Sequence, residues 1–334
     1  MNKNNLENIL KTEPAYRLKQ AKQLIFKDLI GDWQRATVFP FVLKEKLNKE
    51  SPLSIDGQKS VSKDQKTIKA LITLDDGLKI ESVLIKHIGG RNTVCVSSQV
   101  GCKFNCSFCA TGQNGFKRNL LPMEIVAQVL FFARELKKQK ERVSSVVFMG
   151  MGEPFDNTDN VLAAIRILND EDGLNIGARH ISISTVGLPE GIKKLAAEPL
   201  QINLAVSLHA SNNELRSKII PLNKVYPLEM ILKSAAEYIA KTNRRAMFEY
   251  LMIKDLNDSL DQAQELVDLF KKFNLSLFLV NLITYNQTGI FEPSAPTKIK
   301  KFKEFLENHK IAVTERYRFG QEIKGACGQL AAVG

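Results

Sequence analysis

Three of the five cysteines in this 334-residue chain fall within eight residues: Cys102, Cys106 and Cys109. A Cys-x3-Cys-x2-Cys run of thiolates is a ligand set for zinc or for an iron–sulfur cluster. Structural zinc normally closes with four protein ligands, and no fourth Cys or His stands nearby. Three thiolates on a four-iron cluster instead leave one iron open to a non-protein ligand. The spacing argues against three unrelated buried thiols. The other two, Cys95 and Cys327, stand alone. An isolated cysteine in an apolar strand, as at Cys95, is ordinarily a small buried hydrophobe. Cys327 is flanked by Gly325, Ala326 and Gly328, so its side chain is free to reach into a site. An odd, clustered count is no secreted disulfide framework and points to intracellular metal or redox chemistry.

Alternating elements must position these groups. Apolar runs predict strands over 93–97, 145–149, 180–185, 202–207, 246–252 and 275–282. Helical periodicity follows each, over 122–138, 157–168, 189–197, 227–242, 259–273 and 297–308. Repeated β–α units imply a parallel sheet, because parallel neighbours need crossover helices. Six units fall short of a closed eightfold barrel. They fit an open, partial barrel or a doubly wound sheet. A hairpin over 70–74 and 80–85, closed by Asp75-Asp76-Gly77, precedes them. In barrels, chemistry sits at the C-terminal strand ends. Those ends carry Gly150-Met151-Gly152-Glu153-Pro154, Ser182-Ile183-Ser184-Thr185, Ser207-Leu208-His209-Ala210 and Asn286.

The first 72 residues differ. They hold an excess of six Lys and Arg over Asp and Glu, out of a net +11 for the chain. Helical spacing over 16–30 and 39–47 flanks the single tryptophan, Trp33, and 48–66 reads as a polar linker. The expected division is therefore a basic helical domain, 1–72, and an α/β domain, 73–334. The average composition excludes disordered and fibrous classes. The N-terminus has no apolar signal segment, and no apolar run is long enough to span a bilayer. A cytoplasmic protein with no membrane attachment is expected.

The triplet, with Phe108 just before its last cysteine, resembles the motif of the radical S-adenosylmethionine superfamily. With Cys95-Val96-Ser97-Ser98-Gln99-Val100-Gly101-Cys102, the strand-end motifs and Ala326-Cys327-Gly328-Gln329-Leu330, it resembles the RlmN/Cfr family of RNA adenosine methyltransferases. The resemblance covers residues 81–330. It implies a partial (β/α)6 barrel holding a [4Fe-4S] cluster on Cys102, Cys106 and Cys109, with two S-adenosylmethionine molecules used per turnover. It places Phe108 near the cofactor adenine, and Gly152 and Glu153 at its amino end. Ser184, Ser207, Leu208, His209 and Asn286 would hold its ribose and carboxylate. Cys327 would be methylated first, the methyl would become a radical that adds to the base, and Cys95 would release the product through a transient disulfide. Glu81 would accept the proton. The product implied is C2-methyladenosine in 23S rRNA and in tRNA. The C8-methylating, antibiotic-resistance branch of the family carries the same motifs. A non-catalytic iron–sulfur or zinc RNA-binding protein is the rival outside the class. An external electron donor such as flavodoxin or ferredoxin, and a monomeric state, are expected. Lys103, Lys117, Arg118, Lys298, Lys300, Lys301 and Lys303 are candidate phosphate contacts.

Overall fold

The computed structural model describes residues 3–289 and 291–332. Helices α1 (Lys3–Leu10), α2 (Tyr16–Lys22) and α3 (Phe41–Glu50) come first, with a π-helical turn at Gln23–Lys27 continuing α2. Strands β1 (Gly57–Val61), β2 (Thr67–Thr73) and β3 (Lys79–Lys86) form an antiparallel ribbon, which β4 (Asn92–Cys95) joins antiparallel. Next come β5 (Gln99–Gly101), α4 (Ala110–Gln113) and β6 (Phe116–Asn119), then α5 (Pro122–Lys137) and β7 (Ser145–Phe148). The order continues with α6 (Thr158–Asn169), β8 (Ile181–Thr185), α7 (Pro189–Ala197), β9 (Asn203–Ser207), α8 (Asn213–Ile219) and α9 (Leu228–Thr242). The last elements are β10 (Ala246–Met252), α10 (Leu260–Lys272), β11 (Phe278–Thr284), α11 (Pro296–Asn308) and β12 (Val313–Glu315).

Strand order decides between the two architectures left open by the sequence. The sheet runs β1-β2-β3-β4-β7-β8-β9-β10-β11-β12, and every pair from β4/β7 to β11/β12 is parallel. A doubly wound sheet needs a point where the order reverses. Here it never does, so right-handed crossovers set the helices on one face and the sheet curls as an open partial barrel. The two edges, β1 and β12, are not paired to each other. β7 and β8 alternate buried and half-buried residues, whereas β10 is buried at all but one position.

The predicted helices and strands fall within a few residues of the observed ones. The stretch 48–66 is a correction: it contains β1. Four of the five β1 residues are exposed, so no apolar alternation marks it; backbone pairing to β2 holds it. Position 72, the expected division, lies inside β2. The short ribbon β5/β6 and the parallel edge β12 were also unmarked in the sequence.

The N-terminal helices share one continuous apolar core with the barrel. Trp33 is fully buried, stacks on Phe39 at 5.9 Å and donates its indole N–H to the Ser51 carbonyl at 2.8 Å. Lys137 on α5 reaches back to the Asp28 carbonyl (2.7 Å), and Arg134 to that of Leu53 (2.8 Å). Trp33→Ala removes a buried ring and the hydrogen bond its indole N–H donates. It should cost about 3–5 kcal/mol in urea unfolding; a loss under 1 kcal/mol would show that Trp33 does not anchor this layer.

Candidate functional site

The cysteine loop is a built structure. The β5/β6 ribbon closes its base, where Cys102 N–H donates to the Gly115 carbonyl at 3.0 Å. Cys109 N–H closes a turn on the Cys106 carbonyl (3.0 Å), and Ser107 N–H reaches the Ile219 carbonyl (3.0 Å). Cys102, Cys106 and Cys109 line one cavity with Phe108, Gly152, Glu153, Ser184, Ser207, His209 and Cys327. Burial pushes the Cys102 thiol up to about 12, and burial plus the neighbouring thiols drive Cys106 well above its ordinary value. Thiols so placed ionise when a metal centre binds them and takes up their charge. Three sulfur donors beside a void with room for a further ligand fit a cluster with one open iron.

The strand ends complete the wall. Gly152 has φ +95°, and a Cβ there would sit 2.5 Å from the Gln99 side chain, so only glycine lets the β7 loop approach. Glu153 is buried and its two oxygens accept from the N–H groups of Val186 (2.7 Å) and Phe155 (2.9 Å). Burial outweighs those bonds and raises its carboxyl to about 7. A ligand ammonium at its free lone pairs would restore the charge. The hydroxyls of Ser184 and Ser207 stand 3.4 Å apart.

His209, with φ +60°, accepts the Leu251 N–H at Nδ1 (3.1 Å) and meets Phe108 edge-on at 4.9 Å. Burial, and secondarily Arg216, push it down to about 3, so it is neutral with its proton on Nε2. Leu208 does not line the cavity: its side chain is in the core, and its carbonyl accepts from Arg216.

The C-terminal loop docks directly on the cysteine loop. Ala110 N–H donates to the Gly328 carbonyl (2.8 Å), Thr111 to that of Leu330 (2.6 Å), and Thr288 to that of Phe108 (2.8 Å). Gly328 has φ +83°, and a Cβ there would stand 3.2 Å from the Phe108 carbonyl oxygen. Asn286 donates to the Cys327 carbonyl (3.1 Å) and lines an adjoining cavity shared by Cys95, Cys327 and Arg316. Asn286 thus holds the Cys327 loop from the side. Cys95 is buried on β4; burial first, and Cys327 second, push it up to about 12, with Arg316 opposing.

Glu81 lies apart from the cysteine cavity. It lines a broad cleft with Lys69, Arg318 and Lys324, and Tyr285 lines both spaces. Its Oε1 pairs with Lys69 at 2.7 Å, and its Oε2 accepts from Ala331 (2.8 Å) and Ala332 (3.2 Å). Among the candidate phosphate contacts, most have intramolecular partners. Lys103 pairs with Asp156, Arg118 with Asp76 and Glu124, and Lys298 with Asp255 and Asp258. Lys300 pairs with Glu304 and Lys303 with Glu315.

Three charged residues of the site escaped the sequence reading. Arg216 is fully buried and bonds the carbonyls of Leu208, Val186 and Ser207 and the Asn223 side chain, tying the ends of β8 and β9 together. Glu249, on β10, lines the cavity and accepts from Asn281 at 2.8 Å. A lone carboxylate in an apolar strand was the available signal. Arg316 lines both cavities and points Nη1 at the Met149 sulfur (3.0 Å). Nothing in its neighbourhood of sequence marked it.

The profile of the radical SAM superfamily matches residues 96–266. A protein of Dictyoglomus turgidum, named probable dual-specificity RNA methyltransferase RlmN, is 47% identical across 99% of this chain and 95% of its own length. One of the same name from Geobacillus kaustophilus is 43% identical across 96% and 87%. The crystal structure of a radical SAM methyltransferase from Sphaerobacter thermophilus superposes with a TM-score of 0.94 at 41% identity, covering 98% of this chain and 97% of the other.

The raised Glu153 carboxyl makes a pH prediction for protein free of cofactors. A raised acid contributes stability that is fully present below its ordinary value of 4.5 and is lost as pH rises through about 7. Stability should therefore fall by about 3 kcal/mol across that window from this group. Glu153→Gln should flatten that part of the profile in urea melts at several pH values. An unchanged slope would mean that Glu153 is ionised throughout.

Proposed function

Because this chain belongs to the radical SAM superfamily, and within it to the RlmN family of RNA methyltransferases, we propose that it methylates C2 of adenosine in 23S rRNA and in tRNA. The observation that carries the reading is the docking of Cys327 onto the cysteine loop, on the wall of the same cavity. When bound, the [4Fe-4S] cluster and two molecules of S-adenosylmethionine supply a methyl group and one-electron chemistry. Cys102, Cys106 and Cys109 would hold the cluster. Glu153 would bind the ammonium of the cofactor, Ser184 and Ser207 its hydroxyls, and Phe108 would pack on its adenine, backed by neutral His209.

An adenine ring carbon is not a nucleophile, so the protein divides the transfer in two. The Cys327 thiolate would take the methyl group from the first S-adenosylmethionine, breaking its sulfonium–methyl bond and releasing S-adenosylhomocysteine, and would itself become a thioether. Its methyl carbon, having given a hydrogen atom to the radical that the second S-adenosylmethionine supplies, would bond to the base carbon and join protein to RNA, with one electron passing back to the cluster and the ring proton to Glu81. The Cys95 thiolate then attacks the Cys327 sulfur; the sulfur–carbon bond breaks, a disulfide forms, and the released carbon takes a proton to become methyl. External thiols or a reductase return both cysteines to thiols, which suits a reducing cytoplasm. Cys95 is buried and protonated at rest, so it stays inert until product release requires it.

Glu81 would accept the proton from the substituted carbon. Lys69 and two C-terminal N–H groups now occupy its oxygens, so that role requires residues 331–332 to shift. The basic N-terminal helices are the proposed holding surface for RNA. We further take the enzyme to be a monomer served by a flavodoxin- or ferredoxin-type donor. Among the described residues no helix is long and apolar enough to cross a membrane.

Nucleoside mass spectrometry of RNA from cells with and without the gene tests the product. 2-Methyladenosine should vanish without the gene, and loss of 8-methyladenosine instead would sink the assignment. Cys95→Ala should accumulate a covalent protein–RNA species that migrates slowly on denaturing gels. Normal turnover by that variant would remove Cys95 from product release.

A further inference from the structure

The segment after β12 crosses the mouth of the Cys95–Cys327 cavity. Tyr317, Arg318 and Phe319 all line that mouth. Tyr317 is 74% exposed, an unusual position for a large ring in a soluble protein. It is nevertheless held: its ring lies 4.8 Å from Phe319, which in turn meets His87 edge-on at 5.3 Å. His87 is itself fixed by Thr93 on β4 at 2.9 Å. The backbone is anchored where Arg316 N–H donates to the Leu282 carbonyl at 2.9 Å. An exposed ring on a two-residue aromatic buttress is a preformed flat surface.

Arg318 adds a charge at the same place. It lines both the thiol cavity and the Glu81 cleft, so it stands on the ridge between the two. Among the described residues its guanidinium has no hydrogen-bond or ion-pair partner, unlike Arg118 and Arg216. An open ring beside an unpartnered cation matches the two parts of a nucleotide, a π-face and a phosphate.

We propose that Tyr317 and Arg318 form a lip that receives the nucleotide next to the target adenosine, Tyr317 stacking on its base and Arg318 meeting its phosphate. The inference rests on the RNA methyltransferase reading and adds a substrate contact to it. Chemistry on a ring carbon requires the target base to leave its stack. Its neighbour then loses one stacking partner. A rigid ring at the cavity mouth replaces that partner and stabilises the opened RNA. Stacking of this kind is tolerant of base identity, so the lip selects an unstacked geometry and not a sequence.

Equilibrium binding of the cluster-loaded enzyme to an RNA stem-loop with an unpaired target adenosine tests this, alongside the same RNA with abasic neighbours. Tyr317→Ala should weaken binding about tenfold on the intact RNA and not on the abasic RNA. Tyr317→Phe should bind within about twofold of the unaltered enzyme, since the ring is kept. Arg318→Ala should reduce the slope of log affinity against log salt by about one phosphate contact. Equal losses on intact and abasic RNA, or no loss, would overturn the stacking role. An unchanged salt slope would overturn the phosphate contact. Methylation in the same samples separates the levels: if the unaltered enzyme methylates while Tyr317→Ala binds normally, the lip alone is wrong. An unaltered enzyme that neither binds nor methylates RNA would overturn both readings.

Discussion

The site depends on one backbone contact, the hydrogen bond from Ala110 N–H to the Gly328 carbonyl. It joins the first residue after the cysteine triplet to the residue after Cys327, more than two hundred positions later in the chain. The bonds from Thr111, Thr288 and Asn286 brace the same junction on three sides. A glycine at 328 is required because its left-handed backbone brings the C-terminal loop against the Phe108 carbonyl. Without this docking the barrel would still carry a cysteine loop, but the fifth cysteine would have no fixed relation to it. Proximity of this kind is what a two-step group transfer needs, since each step must start from a positioned sulfur.

Electrostatics at the strand ends follow from burial. On the cavity wall burial raises the Glu153 carboxyl to about 7 and the Cys102 thiol to about 12 and keeps His209 neutral, so charge is disfavoured on each before a cofactor enters. Fixed positive charge comes from Arg216, buried behind the ends of β8 and β9, and Arg316, which lines the cavity of Cys95 and Cys327. Arg216 is satisfied by carbonyls and fixes the geometry of two strand ends. Arg316 has a sulfur neighbour and faces two thiols, so its charge is available to whichever sulfur becomes anionic.

Much of this was legible in the sequence, and the parts that were not share a physical cause. The parallel strands announced themselves through short apolar runs, longest in β10, which is buried at all but one position. The cysteine triplet and glycine-rich strand ends were legible because local spacing sets their geometry. Partial barrel versus doubly wound sheet was undecided, because strand order is a property of long-range pairing. β1 was missed since an exposed edge strand needs only its neighbour's backbone. The alternation along 207–209 was not legible either: the side chains of Ser207 and His209 face the cavity, and that of Leu208 faces the core. Arg216 and Arg316 left no local trace, because what places them at the strand ends is the distant residues that fold around them.

The central claim is that Cys327, held at this junction, carries the methyl group before the RNA receives it. Peptide mass spectrometry of the protein purified anaerobically from cells with intact cluster assembly measures this directly. The Cys327 peptide should carry a single added methyl and the Cys95 peptide none. A methyl found on Cys95, or an RNA-methylating enzyme whose Cys327 never carries one, would contradict it.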